Sequence, residues 1–155
     1  MGLFGSGVQV RVDKQAQGKP AQTAGEKVKL QRWRWLACGA ALYGLSAVVL
    51  AALGAHAIPL DGADAERLWN TALQVHMFHA ASMLAIAALA AFTPSRGITF
   101  GWILLALGTL AFSGSLYFRA AGILLLPRGV APAGGMLLMA AWLWIVVALL
   151  RKDPK

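Results

Sequence analysis

Four apolar stretches, at about residues 36–58, 69–92, 98–119 and 133–150, contain no aspartate or glutamate, and they decide most of what this chain can become. Each is long enough for roughly 20 residues of helix to cross about 30 Å of hydrocarbon. Backbone N–H and C=O groups in lipid have to be satisfied within their own segment, so spans this apolar are helices. With 59% hydrophobic residues, the chain would expose far more apolar surface than a soluble monomer tolerates. The expected fold is all-α, a four-helix transmembrane bundle over residues 32–152. Residues 1–31, rich in Gly, Gln and scattered charge, are expected to form a disordered basic N-terminal tail. The lead KLQRWRW then sets Arg32 and Arg34 beside Trp33 and Trp35, the composition of a headgroup anchor.

A net charge of +8 invites a nucleic-acid reading, but the basic residues sit mostly at the chain ends, where topology signals lie, and no zinc-finger or RNA-binding signature accompanies them. No nucleic acid is expected as a partner; the lipid bilayer is. Counting Lys and Arg gives eleven on the side of the two termini against three, Arg67, Arg119 and Arg128, on the other. That excess predicts both termini in the cytoplasm of a bacterial cell, or on the equivalent inner face elsewhere. The single Cys38 excludes an intramolecular disulfide and any CxxC motif.

Helices in lipid gain nothing hydrophobic from association, so close packing of small residues has to hold them. Gly101, Gly108, Ser115 and Gly122 recur every seven residues and predict one packing seam with a left-handed crossing. In APAGG, Pro132, Gly134 and Gly135 are read as shaping the entrance to the fourth helix.

The polar residues inside the spans are few. His56 sits close to the outer end of the first segment, while Gln74, His76 and His79 head the second, and Ser113 and Ser115 reach a depth similar to His76 in the third, with Tyr117 above them. A 100° step per residue puts His76, His79 and Met83 on one face within about 60° of arc, looking into the same neighbour, with Gln74 pointing nearly the opposite way. Gln74, His76, His79, Ser113 and Ser115 are expected to make interhelical hydrogen bonds. His56, His76, His79 and Met83 also carry the donor types of a copper, iron, zinc or haem site, and this defines the first alternative. A proton relay through the histidine pair is a further one. The spans lack the acid partner of a zinc hydrolase or a proton-coupled transporter, and FSGSLY holds no GxSxG elbow.

GAHA at Gly54 to Ala57, WNTALQVHMFHA from Trp69 to Ala80, LGTLAFSGSLY from Leu107 to Tyr117, and the Pro132 to Gly135 stretch stand in order. Together they resemble the YgdD-like small inner-membrane proteins of unknown function, whose eukaryotic relative is called transmembrane protein 256. The resemblance covers about residues 36–150 and implies a multi-pass membrane protein without established catalytic residues. On the matched positions His56 and His79 coincide with family histidines. Val75 and His76 stand where the family more often has Tyr-Gln, and Ala131 stands where a threonine often precedes the proline.

The expected activity is non-catalytic, that of an accessory, assembly or structural membrane protein without a cofactor, whose partner is a larger membrane complex or a second copy. A metal- or haem-handling protein and a small oligomeric transporter or channel are the alternatives.

Overall fold

The structure, a computed structural model, describes residues 19–93, 95–123 and 125–151, with side chains from residue 31 onward apart from Arg32. The described residues form four helices and no strand: α1 Lys19–His56, α2 Ala63–Phe92, α3 Arg96–Ala120 and α4 Val130–Leu150. All four are long and apolar enough to cross a membrane.

Two starts differ most from the sequence reading, and for one reason. Hydropathy marks where a helix enters lipid, whereas the hydrogen-bonded ladder continues through polar turns. Helix α1 begins at Lys19, so the segment up to residue 31 that was expected to be disordered is helical from there; residues 1–18 of that tail lie outside the described residues. Pro20 suits a first turn, where its missing N–H has no partner to lose, and AQTAGEKVKLQ is rich in good helix formers. At about 1.5 Å per residue the 38 residues of α1 exceed the hydrocarbon thickness, and the apolar span is Trp33–His56. Helix α2 likewise begins at Ala63, inside the acidic DGADAER stretch. Gly62 turns the chain into it at φ 89°, and Asp64 and Glu66 place negative charge against the positive end of the helix dipole. Arg67 meets Asp64 at 3.1 Å, but both side chains are exposed and the pair adds little.

The C-terminus of α3 corrects the seam. Gly122 lies beyond the helix at φ 72° and is exposed. Its N–H bonds Arg119 O at 3.1 Å while Ile123 N–H bonds Phe118 O at 2.8 Å, the two bonds of a Schellman motif with Gly122 at the left-handed position. Gly122 is therefore a helix stop, not the fourth member of a packing stripe. An added Cβ would meet nothing within 4 Å, so any cost at this position comes from the backbone. Gly122→Ala is expected to lower stability by about 1 kcal/mol through that conformation alone. Unfolding in mild detergent would measure it, and a neutral result would show the turn relaxing.

Helices α2 and α3 pack on each other, with α1 along α2 and α4 along α3. Short connections make sequence neighbours antiparallel. At the end holding the helix termini Lys19 and Leu150, Leu36, Ala40, Met83, Ala87, Ile98 and Ile145 belong to one apolar cluster. At the opposite, loop end Trp69, Ala72, Leu116, Tyr117, Ala120 and Ala131 form a second. Leu42, Leu45, Met139 and Leu143 point outward and are 60–67% exposed, as lipid-facing residues are.

Glycine sets the closeness of α3 to α4. Gly97 faces Ala148, Gly101 faces Ile145, and a Cβ at Gly108 would lie 2.8 Å from Leu138 Cδ2. From the other side, a Cβ at Gly134 would run into the backbone of Phe112 and Ala111. Helix α4 begins at Val130, so Gly134 is a packing residue within it and not part of its entrance.

Candidate functional site

Both span histidines are buried, 7% exposed each, and each is tied to other helices. His76 Nε2 lies 3.3 Å from Ser46 Oγ on α1, and its Nδ1 lies 3.4 Å from the Tyr117 hydroxyl on α3. Ser46 donates its own proton to Tyr43 O at 2.9 Å, so its oxygen accepts from His76 Nε2–H. Nδ1 is then left to accept from Tyr117 O–H. The result is a directed chain, Tyr117 to His76 to Ser46 to the Tyr43 carbonyl. Its two histidine links are long and individually weak. The Tyr43 ring stands edge-on to His76 with centroids 5.5 Å apart.

His79 carries its proton on the other nitrogen. Nδ1–H donates to Val75 O one turn back at 2.8 Å, and Nε2 accepts from Trp142 Nε1–H on α4 at 3.3 Å. The two imidazoles therefore do not look into the same neighbour: His76 serves α1 and α3, and His79 serves α4. With α1 and α4 reaching α2 from different sides, an offset of about 60° is enough to change partners.

The remaining expected residues fall elsewhere. His56 is exposed at the end of α1. No group of three or more His, Cys, Asp or Glu residues is close enough to hold a metal among the described residues. Met83 is fully buried within the apolar cluster. Ser115 Oγ bonds Phe112 O of its own helix at 2.8 Å, and Ser113 Oγ is buried without a partner, so neither serine makes the expected interhelical bond. The Ser115 hydroxyl turns back to the preceding turn of α3, which supplies its acceptor. Gln74 is exposed and has no hydrogen-bond partner among the described residues. Its direction, opposite to the histidine face, turns it away from the bundle.

The contacts that sequence reasoning missed come from aromatic residues. Tyr43 O–H donates to Ala106 O at 2.8 Å and ties α1 to α3. Trp102 Nε1–H donates to Met83 O at 3.0 Å and ties α3 to α2. Trp144 Nε1–H donates to Gly97 O at 3.0 Å and ties α4 to α3. A helix carbonyl has a second lone pair, so each tie forms without opening the ladder. The signal was present, since an indole N–H inside a bundle needs a partner. Its acceptor could not be read, because a backbone carbonyl has no side-chain signature. Trp69, by contrast, lies flush against Gly54 with its Nε1 unpartnered, and packs edge-on to Tyr117 with centroids 4.8 Å apart.

Paired deletion should show the weight of such a tie. In a cycle of Trp142→Phe and His79→Leu, the coupling energy is expected near 0.6 kcal/mol and no larger than about 1.7 kcal/mol. Reversible unfolding in bicelles would measure it. A coupling of zero would mean that indole and imidazole do not bond.

Residues 50–135, from the end of α1 to the start of α4, match the family model described as "Protein of unknown function (DUF423)". The chain belongs to the DUF423 family. It is 35% identical over 116 residues to the "UPF0382 membrane protein YwdK" of Bacillus subtilis (strain 168), covering 72% of this chain and 92% of that protein. To the "UPF0382 inner membrane protein YgdD" of Escherichia coli (strain K12) it is 36% identical over 125 residues, or 79% of this chain and 94% of that one. A Staphylococcus epidermidis relative, "UPF0382 membrane protein SERP0230", is 33% identical over 114 residues. No solved structure gives a significant match. Four helices able to span a bilayer and relatives named as membrane proteins make this DUF423 chain a multi-pass membrane protein. The matched residues include His56, Trp69, His76, His79 and Gly134, whereas Tyr43, Ser46 and Trp142, which complete the two histidine networks, lie outside them.

Proposed function

We propose that this DUF423 protein acts without catalysis, as an accessory, assembly or structural component of the bacterial inner membrane. The observation that carries the reading is the occupation of the imidazoles. Each ring nitrogen of His76 and His79 already has a protein partner, so neither ring offers a free lone pair or an unshared proton to a substrate. A metal- or haem-handling role would need those bonds broken and His56 brought in from an exposed helix end. The directed chain from Tyr117 also ends at a carbonyl oxygen, which accepts a hydrogen bond but passes no proton on. Histidine here supports packing, with weak bonds that orient helices for which lipid supplies no hydrophobic drive.

We infer that both termini lie in the cytoplasm. The supports are the count of eleven basic residues against three and the grouping of Arg96 and Arg151 at the same end of the bundle as the start of α1. The inner-membrane location also has support from the name of the Escherichia coli relative.

Purification of the tagged chain from its native membrane in mild detergent, followed by identification of what accompanies it, tests the role. The reading expects a defined membrane-protein complex or a stable self-assembly. A lone monomer, bare or carrying stoichiometric haem or transition metal, would overturn it. Reporter fusions at the two termini check the orientation, which requires both to report cytoplasm.

A further inference from the structure

We infer that the outward face of α2 is a self-association surface on which a second copy of this chain docks, with Gln74 bonding to Gln74. This goes beyond the accessory role and does not depend on it.

Gln74 lies on an apolar helix of a spanning bundle, points outward and has no hydrogen-bond partner among the described residues. A primary amide facing hydrocarbon leaves two donors and a carbonyl unsatisfied, at a cost that a bonded neighbour removes. No other helix covers that face among the described residues: Gln74, Met77, Ala81, Leu84 and Ala88 are all exposed. These positions alternate by three and four residues, the a/d pattern of a left-handed helix pair, with Gln74, Ala81 and Ala88 on one seven-residue repeat. Asn70 precedes them on the same face and is exposed as well.

The chemistry favours a second copy over a foreign partner. Copies inserted with the same topology hold equal residues at equal depth, so a two-fold axis along the membrane normal brings Gln74 against its own equivalent. An amide is both donor and acceptor and is therefore complementary to itself, which a carboxylate or an ammonium is not. Alanines at 81 and 88 let the two backbones approach closely enough for those amides to meet. A single polar residue at such a position also fixes the register of the pair.

The test uses the full chain in native membranes, after Cys38→Ser removes the exposed native thiol. Ala81→Cys should give a disulfide-linked dimer on mild oxidation, at least tenfold more than Leu143→Cys on the outward face of α4. Adding Gln74→Leu, an exposed substitution that leaves the bundle core untouched, should reduce the Ala81→Cys dimer at least tenfold with unchanged protein level and helicity. The inference is overturned if Ala81→Cys links no better than Leu143→Cys. It is equally overturned if the Gln74→Leu background links as well as the parent, because the amide would then be serving lipid headgroups and not a second copy.

Discussion

Gly134→Val is expected to be the most damaging single substitution in the bundle. A Cβ at Gly134 would enter the backbone of Phe112 and Ala111, where no side chain can rotate away. The only relief is to move α4 off α3. That movement would also withdraw Leu138 from Gly108, Ile145 from Gly101 and the Trp144 indole from Gly97 O. Overpacking usually costs about 1–3 kcal/mol when side chains can adjust, and a backbone neighbour puts this case at or above the upper end. Denaturant unfolding in mild detergent, followed by tryptophan fluorescence, should show a loss of about 3 kcal/mol or no folded protein at all. Gly134→Ala should lose less but still measurably. A valine variant within about 1 kcal/mol of the parent would mean that the two helices do not touch at that point.

Gly54→Leu should follow closely, by a different route. A Cβ there would land on the Trp69 indole, which lies against the glycine and is only 3% exposed. Trp69 belongs to the loop-end cluster with Tyr117, Ala120 and Ala131, so displacing it loosens α1 from α2 and disturbs α3 and α4 together. The expected loss is about 2–3 kcal/mol, with a shift in tryptophan emission as the indole leaves its site. Gly44 provides the control on the same helix. A Cβ at Gly44 meets nothing within 4 Å, so Gly44→Leu should leave stability within about 0.5 kcal/mol of the parent. Equal losses at the two positions would point to helix α1 tolerating no added bulk, and not to the Trp69 contact.

The spanning helices were legible because lipid allows so few alternatives. Their C-terminal ends fall at His56, Phe92, Ala120 and Leu150, close to the ends read from hydropathy at 58, 92, 119 and 150. The starts were less legible, as Lys19 and Ala63 show: a turn of Asp, Glu, Lys and Ala outside the bilayer bonds its backbone as well as an apolar one does. Periodicity alone misled at Gly122, where the seven-residue spacing from Ser115 coincided with a glycine needed for a left-handed turn. It also misled at Ser115, since a hydroxyl inside a helix can satisfy itself on a carbonyl of its own helix without crossing to another.

For the histidines, the sequence located the two rings on one face of α2 but not their partners. Partner choice depends on which helix stands at a given angle around α2, and the chain order does not encode that angle. Ser46, Tyr117 and Trp142 come from three different helices and become neighbours of the imidazoles only through packing. Gly134 was visible as a glycine near the head of α4, but its role became clear only with Phe112 opposite it.

The ties made by Tyr43, Trp102 and Trp144 share a chemical asymmetry that bears on how this sequence can drift. Each donor is one particular side chain, while each acceptor, on Ala106, Met83 or Gly97, is a main-chain oxygen that every amino acid carries. Exchange of the donor abolishes the bond at once, whereas exchange of the acceptor residue leaves it intact as long as the new side chain fits. Variation among tolerated sequences should therefore be lopsided, with the three aromatic positions fixed and their opposite numbers changing freely within limits of size.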